Sequence, residues 1–300
     1  MLTRVGDFAQ HQRMTQLLLD AQTRARETQA QIGTGKVAQR FREVAADADR
    51  LLATKDVLHQ IGQFRANNDL VAKRLQVMEA GVASLHDVGS RLRVLLIQRL
   101  DAASAVPGVI SSELQHLLEQ AVSDLNIDFN GRHLFSGTRT KTAPVALDPA
   151  FAGFGGPDDT YYQGDAVVLT VRADTNREVA YGMTADRPGF HELIGALRAA
   201  LEGDGTDDRG LLESALDLVA AALPKIGDYR SELGAAQAAL EQINRGHGDA
   251  EVYLERQISD IENVDLTEAI TRMSQDQMVI ESAMATIARL NQVTLADFLR

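Results

Sequence analysis

The chain has no cysteine and no tryptophan, and aromatics make up only 5% of its 300 residues. Without cysteine there is no disulfide, no thiolate metal site and no thiol nucleophile. With so few aromatics the core must be built from Leu, Ile, Val, Ala and Met, which are mostly good helix formers and poor walls for a small-molecule pocket. No apolar run approaches 18 residues, so no membrane span is expected. The opening Met1-Leu2-Thr3-Arg4-Val5-Gly6-Asp7-Phe8 lacks an apolar h-region, and Asp7, His11 and Arg13 interrupt any candidate, so no cleaved secretory signal is expected either. What is present, 45% apolar and 24% charged residues, is too apolar for a disordered chain and favours long helices over a compact enzyme.

The net charge of −12 is unevenly placed. Residues 1–100 hold 15 Lys/Arg against 10 Asp/Glu, a sum of +5 that leaves −17 for the rest, and the last 52 residues alone sum to −6. Such a polarity favours pairing of the two chain ends over self-pairing of either. A nucleic-acid partner is not expected, because the chain is acidic overall and aromatics do not interleave with its basic residues.

Apolar periodicity predicts long helices at both ends. Val71, Leu75, Met78, Val82, Leu85, Gly89, Leu92, Leu96 and Arg99 follow a 3-4 alternation, and Val44, Ala48, Leu51 and Leu58 extend it upstream, predicting one helix over 43–102. At 1.5 Å per residue it reaches roughly 90 Å. Met14, Leu18, Ala21, Ala25, Thr28 and Ile32 form a weaker stripe closed by Gly33-Thr34-Gly35, and its small residues call for a partner. At the other end Leu266, Ile270, Met273, Gln277, Ile280, Met284, Ile287, Asn291, Thr294 and Phe298 repeat at 4-3 spacing behind Asp265-Leu266-Thr267-Glu268, which resembles a capping box. Ser112-Glu113-Leu114-Gln115 suggests another cap, opening a helix with Leu114, Leu118, Ala121, Leu125 and Phe129 on one face.

The middle differs. Residues 145–159 are rich in Gly, Pro and Asp, and alternation at Val167–Ala173 and Val179–Met183 around Asp174-Thr175-Asn176-Arg177 predicts a β-hairpin. Helix resumes after Pro188-Gly189, stops at Gly203-Asp204-Gly205, and runs again from Leu211 past Pro224 to Asn244. The expected fold is mainly α: a long coiled-coil-like helical bundle from both chain termini with an inserted α+β module. Its segments are a terminal core at 1–42, the first half of the bundle at 43–140, the outer module at 141–210, the second half at 211–264 and a core helix at 265–300.

Chemistry finds little footing. The seven histidines never fall at metal-ligand spacing on one helix, and Gly33-Thr34-Gly35-Lys36 lacks the strand and the Ser/Thr of a phosphate loop. Asp158-Asp159 and Asp207-Asp208 read as solvated loop acids. No catalysis, metal or cofactor is expected.

Several stretches carry a family resemblance. Gln31-Ile32-Gly33-Thr34-Gly35-Lys36 is similar to a Ser-Thr-Gly-Lys turn after a first helix, and Arg91-Leu92-Arg93-Val94-Leu95-Leu96-Ile97-Gln98 to an Arg-x-Arg-Glu-Leu-x-x-Gln stretch with Val94 in place of Glu. Asn130-Gly131-Arg132-His133-Leu134-Phe135-Ser136-Gly137-Thr138, Val264-Asp265-Leu266-Thr267-Glu268-Ala269 and the closing Gln292-Val293-Thr294-Leu295-Ala296-Asp297-Phe298-Leu299 complete the set. Together they resemble the flagellin family over about residues 1–140 and 225–300. The stretch Val37-Ala38-Gln39-Arg40-Phe41-Arg42-Glu43 departs from it, lacking the Pro-Ser-Asp-Asp-Pro pattern.

The resemblance implies a structural subunit of the bacterial flagellum, exported unfolded by the flagellar type III route without signal cleavage and assembled outside the cell. It implies partners among the other axial proteins (hook-associated proteins and flagellin), an export chaperone and further copies of the chain. It implies an assembly interface at Leu18, Ile32, Leu92, Leu96, Ile270, Met273, Ile280, Met284, Ile287, Leu295 and Phe298. The Phe-Ser-Gly-Thr motif, Tyr161-Tyr162-Gln163-Gly164-Asp165 and the Leu-x-Asp-Phe-Leu ending are most similar to members that join hook to filament, with filament flagellin as the alternative. Two other classes stay open: a middle module that binds a glycan or receptor through Tyr161 and Tyr162, and a cytoplasmic helical scaffold.

Overall fold

The apolar spacing becomes helix over most of the chain in the computed structural model, which describes residues 2–37, 47–101 and 106–298 and the side chains of 12–289 within them. Six helices and one hairpin follow in order among the described residues: α1 (Leu2–Thr34), α2 (Ala48–Asp101), α3 (Ser111–Leu125), β1 (Thr170–Asp174), β2 (Arg177–Ala180), α4 (Pro188–Thr206), α5 (Arg209–Glu262) and α6 (Leu266–Phe298). The fold is the mainly α bundle expected from the sequence. The chain divides into two units, residues 1–59 with 250–300 and residues 60–249.

The larger unit, 60–249, is organised by the α2 stripe. Val71, Leu75, Met78, Val82, Leu85, Leu92 and Leu96 are all buried, and Gly89 leaves the space into which Leu223 and Leu193 reach. At about 1.5–3 kcal/mol per fully buried large apolar side chain, this stripe is a main source of the unit's stability. α3 adds Leu114, Leu117, Leu118, Ala121 and Leu125, and packs on α4. α4 is buried along most of its length, from Phe190 through Ala200, so it lies within the same core as α2, α3 and α5. Edge-to-face rings tie it in: Phe190 stands 6.3 Å from Phe135 and 5.2 Å from Tyr229, centroid to centroid.

The hairpin docks through a bulge. β1 and β2 pair antiparallel, with Arg172 opposite Glu178 and Asp174 opposite Arg177, which leaves Ala173 out of the ladder. Its carbonyl instead accepts hydrogen bonds from Asn68 Nδ2 (2.9 Å) and His247 Nε2 (3.0 Å), so the hairpin is held by α2 and α5. His247 also stacks on Phe64, ring centroids 5.8 Å apart.

Several expectations need correction. α5 continues 18 residues beyond Asn244, to Glu262, and His247 within the extension is buried and held to the Ala173 carbonyl. Pro224 is accommodated inside α5 where it and Ala220, whose carbonyl loses its partner, are both exposed. α4 does not stop at Gly203-Asp204-Gly205; it ends at Thr206, with Asp207 left-handed at φ 56°. Ser112 does not cap α3, whose first residue is Ser111. That end is held from afar: Asp204 Oδ2 accepts from the Ile110 N–H (3.1 Å) and the Ser111 hydroxyl (2.7 Å). The start of the long helix at 43 and the departure at 38–43 lie outside the described residues.

Candidate assembly surface

In the smaller unit α1 packs against α6. The contacting stripe on α1 is the one read from the sequence: Ala21 and Thr28 are buried, and Met14, Leu18, Ala25 and Ile32 half-buried. On α6 the face is rotated from the expected seam. Ala269 and Ala283 are buried, and Met273, Asp276, Ile280 and Ile287 half-buried, while Leu266, Ile270 and Met284 stay about 50% exposed. Two alanines take the inner positions because close helix approach favours small side chains. Arg24 Nε donates to Asp276 Oδ1 at 3.1 Å across the pair.

A clasp closes the pair. Gly35 turns left-handed (φ 70°) to end α1, and the next residues pair with the α5–α6 connection: the Val37 N–H donates to the Glu262 carbonyl (2.8 Å), and the Val264 N–H to the Gly35 carbonyl (3.0 Å). Glu262 holds both Lys55 and Lys36, the latter at 2.9 Å, and these two ammonium groups lower its carboxyl pKa, Lys55 the more strongly. Asp265 caps α6 as expected, its Oδ1 accepting from the Thr267 (2.8 Å) and Glu268 (3.1 Å) N–H groups. Glu268 does not complete a box; it faces Arg272 at 3.8 Å.

The predicted interface residues therefore fall into three sets. Leu18, Ile32, Met273, Ile280 and Ile287 come together in the α1–α6 pair, partly covered. Ile270 and Met284 remain exposed, joined by Met278 (62%) and Val279 (42%) on α6 and by Leu17 and Leu19 on α1. Leu92 and Leu96 lie elsewhere, fully enclosed by this chain's own core in the 60–249 unit. The side chains of Leu295 and Phe298 lie outside the described residues.

Most of the loop acids of the larger unit find partners within it. Asp158, read as solvated, is fully buried: its Oδ2 accepts from Arg198 Nη1 (2.7 Å) and its Oδ1 from the Thr160 N–H and hydroxyl. Asp204 accepts from Arg99 Nε (2.7 Å) and Asp207 from Arg99 Nη2 (2.6 Å), which raises the arginine's pKa, Asp204 foremost. Asp208 caps α5 through the Gly210 and Leu211 N–H groups. The signal missed in the sequence was that Asp158, Asp207 and Asp208 each had an arginine or a helix start to serve, whereas Asp159 is exposed as expected. Among the described residues no group of three or more His, Cys, Asp or Glu side chains could hold a metal ion.

Two of the quoted motifs form one clasp. Gly137 is left-handed (φ 67°), and a Cβ there would fall 2.2 Å from Asp165 Oδ1, which instead accepts the Thr138 N–H at 3.0 Å. The Asp165 pKa is lowered, chiefly by the Thr138 hydroxyl. Tyr162 donates its hydroxyl to the Asp165 carbonyl (2.6 Å), and its phenol is pushed up to about 12, first by burial and then by the Asp165 charge. Tyr161 has 0% exposure and donates to the Ala185 carbonyl (2.9 Å), so it offers no face to a sugar.

The family assignment rests on two matches at opposite ends of the chain. Residues 7–140 match the bacterial flagellin N-terminal helical region and residues 216–299 the bacterial flagellin C-terminal helical region. The chain belongs to the flagellin family. Among flagellin-family relatives, flagellar hook-associated protein 3 of Escherichia coli (strain K12) is 30% identical over 139 residues, 46% of this chain and 40% of that protein. The chain thus spans well under half the length of that relative. A flagellin of Halalkalibacterium halodurans is 22% identical, with 84% of each chain covered. The fold resembles the solved structure of a putative flagellar hook-associated protein from Vibrio parahaemolyticus, with a TM-score of 0.61, 17% identity, and coverage of 72% of this chain and 97% of that one. The two flagellin regions leave 141–215 unmatched, and that stretch supplies the hairpin and α4, whose side chains the matched helices bury.

Proposed function

We propose that this flagellin-family chain is a structural, non-catalytic subunit of the bacterial flagellum that joins hook to filament, assembling through its N- and C-terminal helices. The observation that carries the reading is the second apolar face of α6: Ile270, Met278 and Met284 stay about half or more exposed after α1 has packed. Large apolar side chains left exposed along a helix mark a candidate site for another protein. At about 25 cal/mol per Å2, burying those side chains offsets the cost of ordering long helices when several subunits contribute, so assembly is cooperative.

In this reading Leu18, Ile32, Met273, Ile280 and Ile287 form the seam within each subunit, and Ile270, Met284, Leu295 and Phe298 meet neighbours. Leu92 and Leu96 hold α2 in the body. The segments 1–42 and 265–300 build the inner core and 43–140 and 211–264 the bundle, and of the 141–210 segment the hairpin faces outward while α4 completes the core of the bundle. The chain leaves the cell by the flagellar type III route without signal cleavage, escorted by an export chaperone, and its partners are hook-associated proteins, flagellin and its own copies. It binds no nucleic acid and does not insert into membrane. The hook-associated relative, 30% identical over 139 residues, supports the junction role.

Locating a tagged copy in flagellated cells tests it: a short zone at the end of the hook is expected, and label along the whole filament would make it a filament flagellin. Deleting Thr294 to Arg300 is expected to abolish incorporation while the 60–249 body still unfolds cooperatively.

A further inference from the structure

Among the described residues one charged contact crosses the α1–α6 pair. Arg24 Nε meets Asp276 Oδ1 at 3.1 Å; the Asp276 side chain is 13% exposed and Arg24 54%. Around it lies a polar notch of about 300 Å3, bordered by Glu27, Thr28, Arg272 and Gln275 as well as the pair itself.

The helices run antiparallel, because Gly35 meets Val264 while Arg24 meets Asp276. Equal rise per residue then sets, within one residue, Leu18 level with Ala283, Ala21 with Ile280, Thr28 with Met273 and Ile32 with Ala269. At each level a larger side chain stands opposite a smaller one, the pattern that fills a helix interface without voids. These layers alone discriminate poorly, since a heptad slip exchanges one apolar position for another. The charged pair does not tolerate the slip. Sliding by seven residues sets Asp276 level with Ile32 in one direction and Leu18 in the other, leaving a partly buried carboxylate without its cation.

We propose that Arg24 and Asp276 are the residues that set the register of the terminal helix pair, and through it the alignment of every layer from Leu18 to Ile32. The inference rests on the helix pair alone and stands or falls independently of the flagellar role.

The absence of native cysteine makes the test clean. In the full chain, Leu18→Cys with Ala283→Cys reports the observed register, and Ala25→Cys with Ala283→Cys reports a one-heptad slip; each pair is cross-linked with a short bismaleimide. The parent is expected to link through 18 and 283 in preference to 25 and 283. Asp276→Arg should cut that preference about three-fold or more, and the exchange Arg24→Asp with Asp276→Arg should restore it. Rescue by exchange separates register-setting from general damage to the helices. A parent without preference, an unchanged ratio in Asp276→Arg, or an exchange that fails to restore it would each overturn the proposal.

Discussion

Residues 60–249 and the terminal unit use apolar side chains in opposite ways. Of the apolar side chains buried among the described residues, the terminal unit holds only Ala21, Leu51, Ala269 and Ala283, yet it carries 12 of the 19 large apolar side chains left exposed. The body completes its core with its own helices, loop and hairpin. The terminal pair covers one face of α6 and leaves the next uncovered. Stability of the body is therefore a property of one chain, whereas the terminal unit leaves many of its large apolar side chains outside its own packing.

The contrast can be broken most severely at Asp204. Asp204→Ala removes the buried partner of Arg99 Nε, leaving the guanidinium only the half-exposed Asp207, and frees the Ile110 N–H and the Ser111 hydroxyl, so the body should lose about 3 kcal/mol in chemical denaturation. Gly195→Ala should cost about 1–3 kcal/mol by the same measurement, since its Cβ would lie 2.4 Å from the Gly156 carbonyl oxygen and 3.0 Å from the Asp158 nitrogen. Tyr162→Phe removes one hydrogen bond, with an expected loss of about 0.5–1.5 kcal/mol.

Changes in the terminal unit should move stability less and assembly more. Glu262 is ionised more readily when folded than when unfolded, so its contribution is complete above the ordinary glutamate range and fades as pH falls toward its lowered folded value. Glu262→Gln should remove that acid dependence from the melting of the α1–α6 pair, followed by helical signal across pH. Ile270→Asp with Met284→Asp should shift unfolding of the isolated chain by no more than about 0.5 kcal/mol while preventing incorporation into flagella. Normal incorporation of that double variant would remove the exposed α6 face from the assembly surface.

Much of this was legible in the amino-acid order. The α2 stripe from Val71 to Arg99 is buried at every position, Gly35 ends α1, Asp265 caps α6, and the hairpin turns at the expected residues. The misreadings share one physical cause: partners distant in sequence. Asp204 starts α3 from about ninety positions away, doing what a local serine was expected to do. The helix was expected to run only to Asn244, but His247 just beyond it is fixed by Phe64 and the hairpin carbonyl. On α6 a count of large side chains favours Leu266, Ile270 and Met284, whereas close packing selected Ala269 and Ala283. The interface residues divided likewise: Leu92 and Leu96 lie in the body, Leu18, Ile32, Met273, Ile280 and Ile287 in the terminal pair, and Ile270 and Met284 on its exposed face.

The burial of α4 among α2, α3 and α5 has a consequence for the order of events in time. As the chain emerges from a ribosome its amino end comes first, and the α2 stripe waits uncovered until Phe190 to Ala200 and then Leu212 to Ile243 have followed. Contacts this far apart in sequence close slowly. The body can lock only after about four-fifths of the chain is out, and α6, the last helix to emerge, then meets an α1 that has been waiting since the beginning.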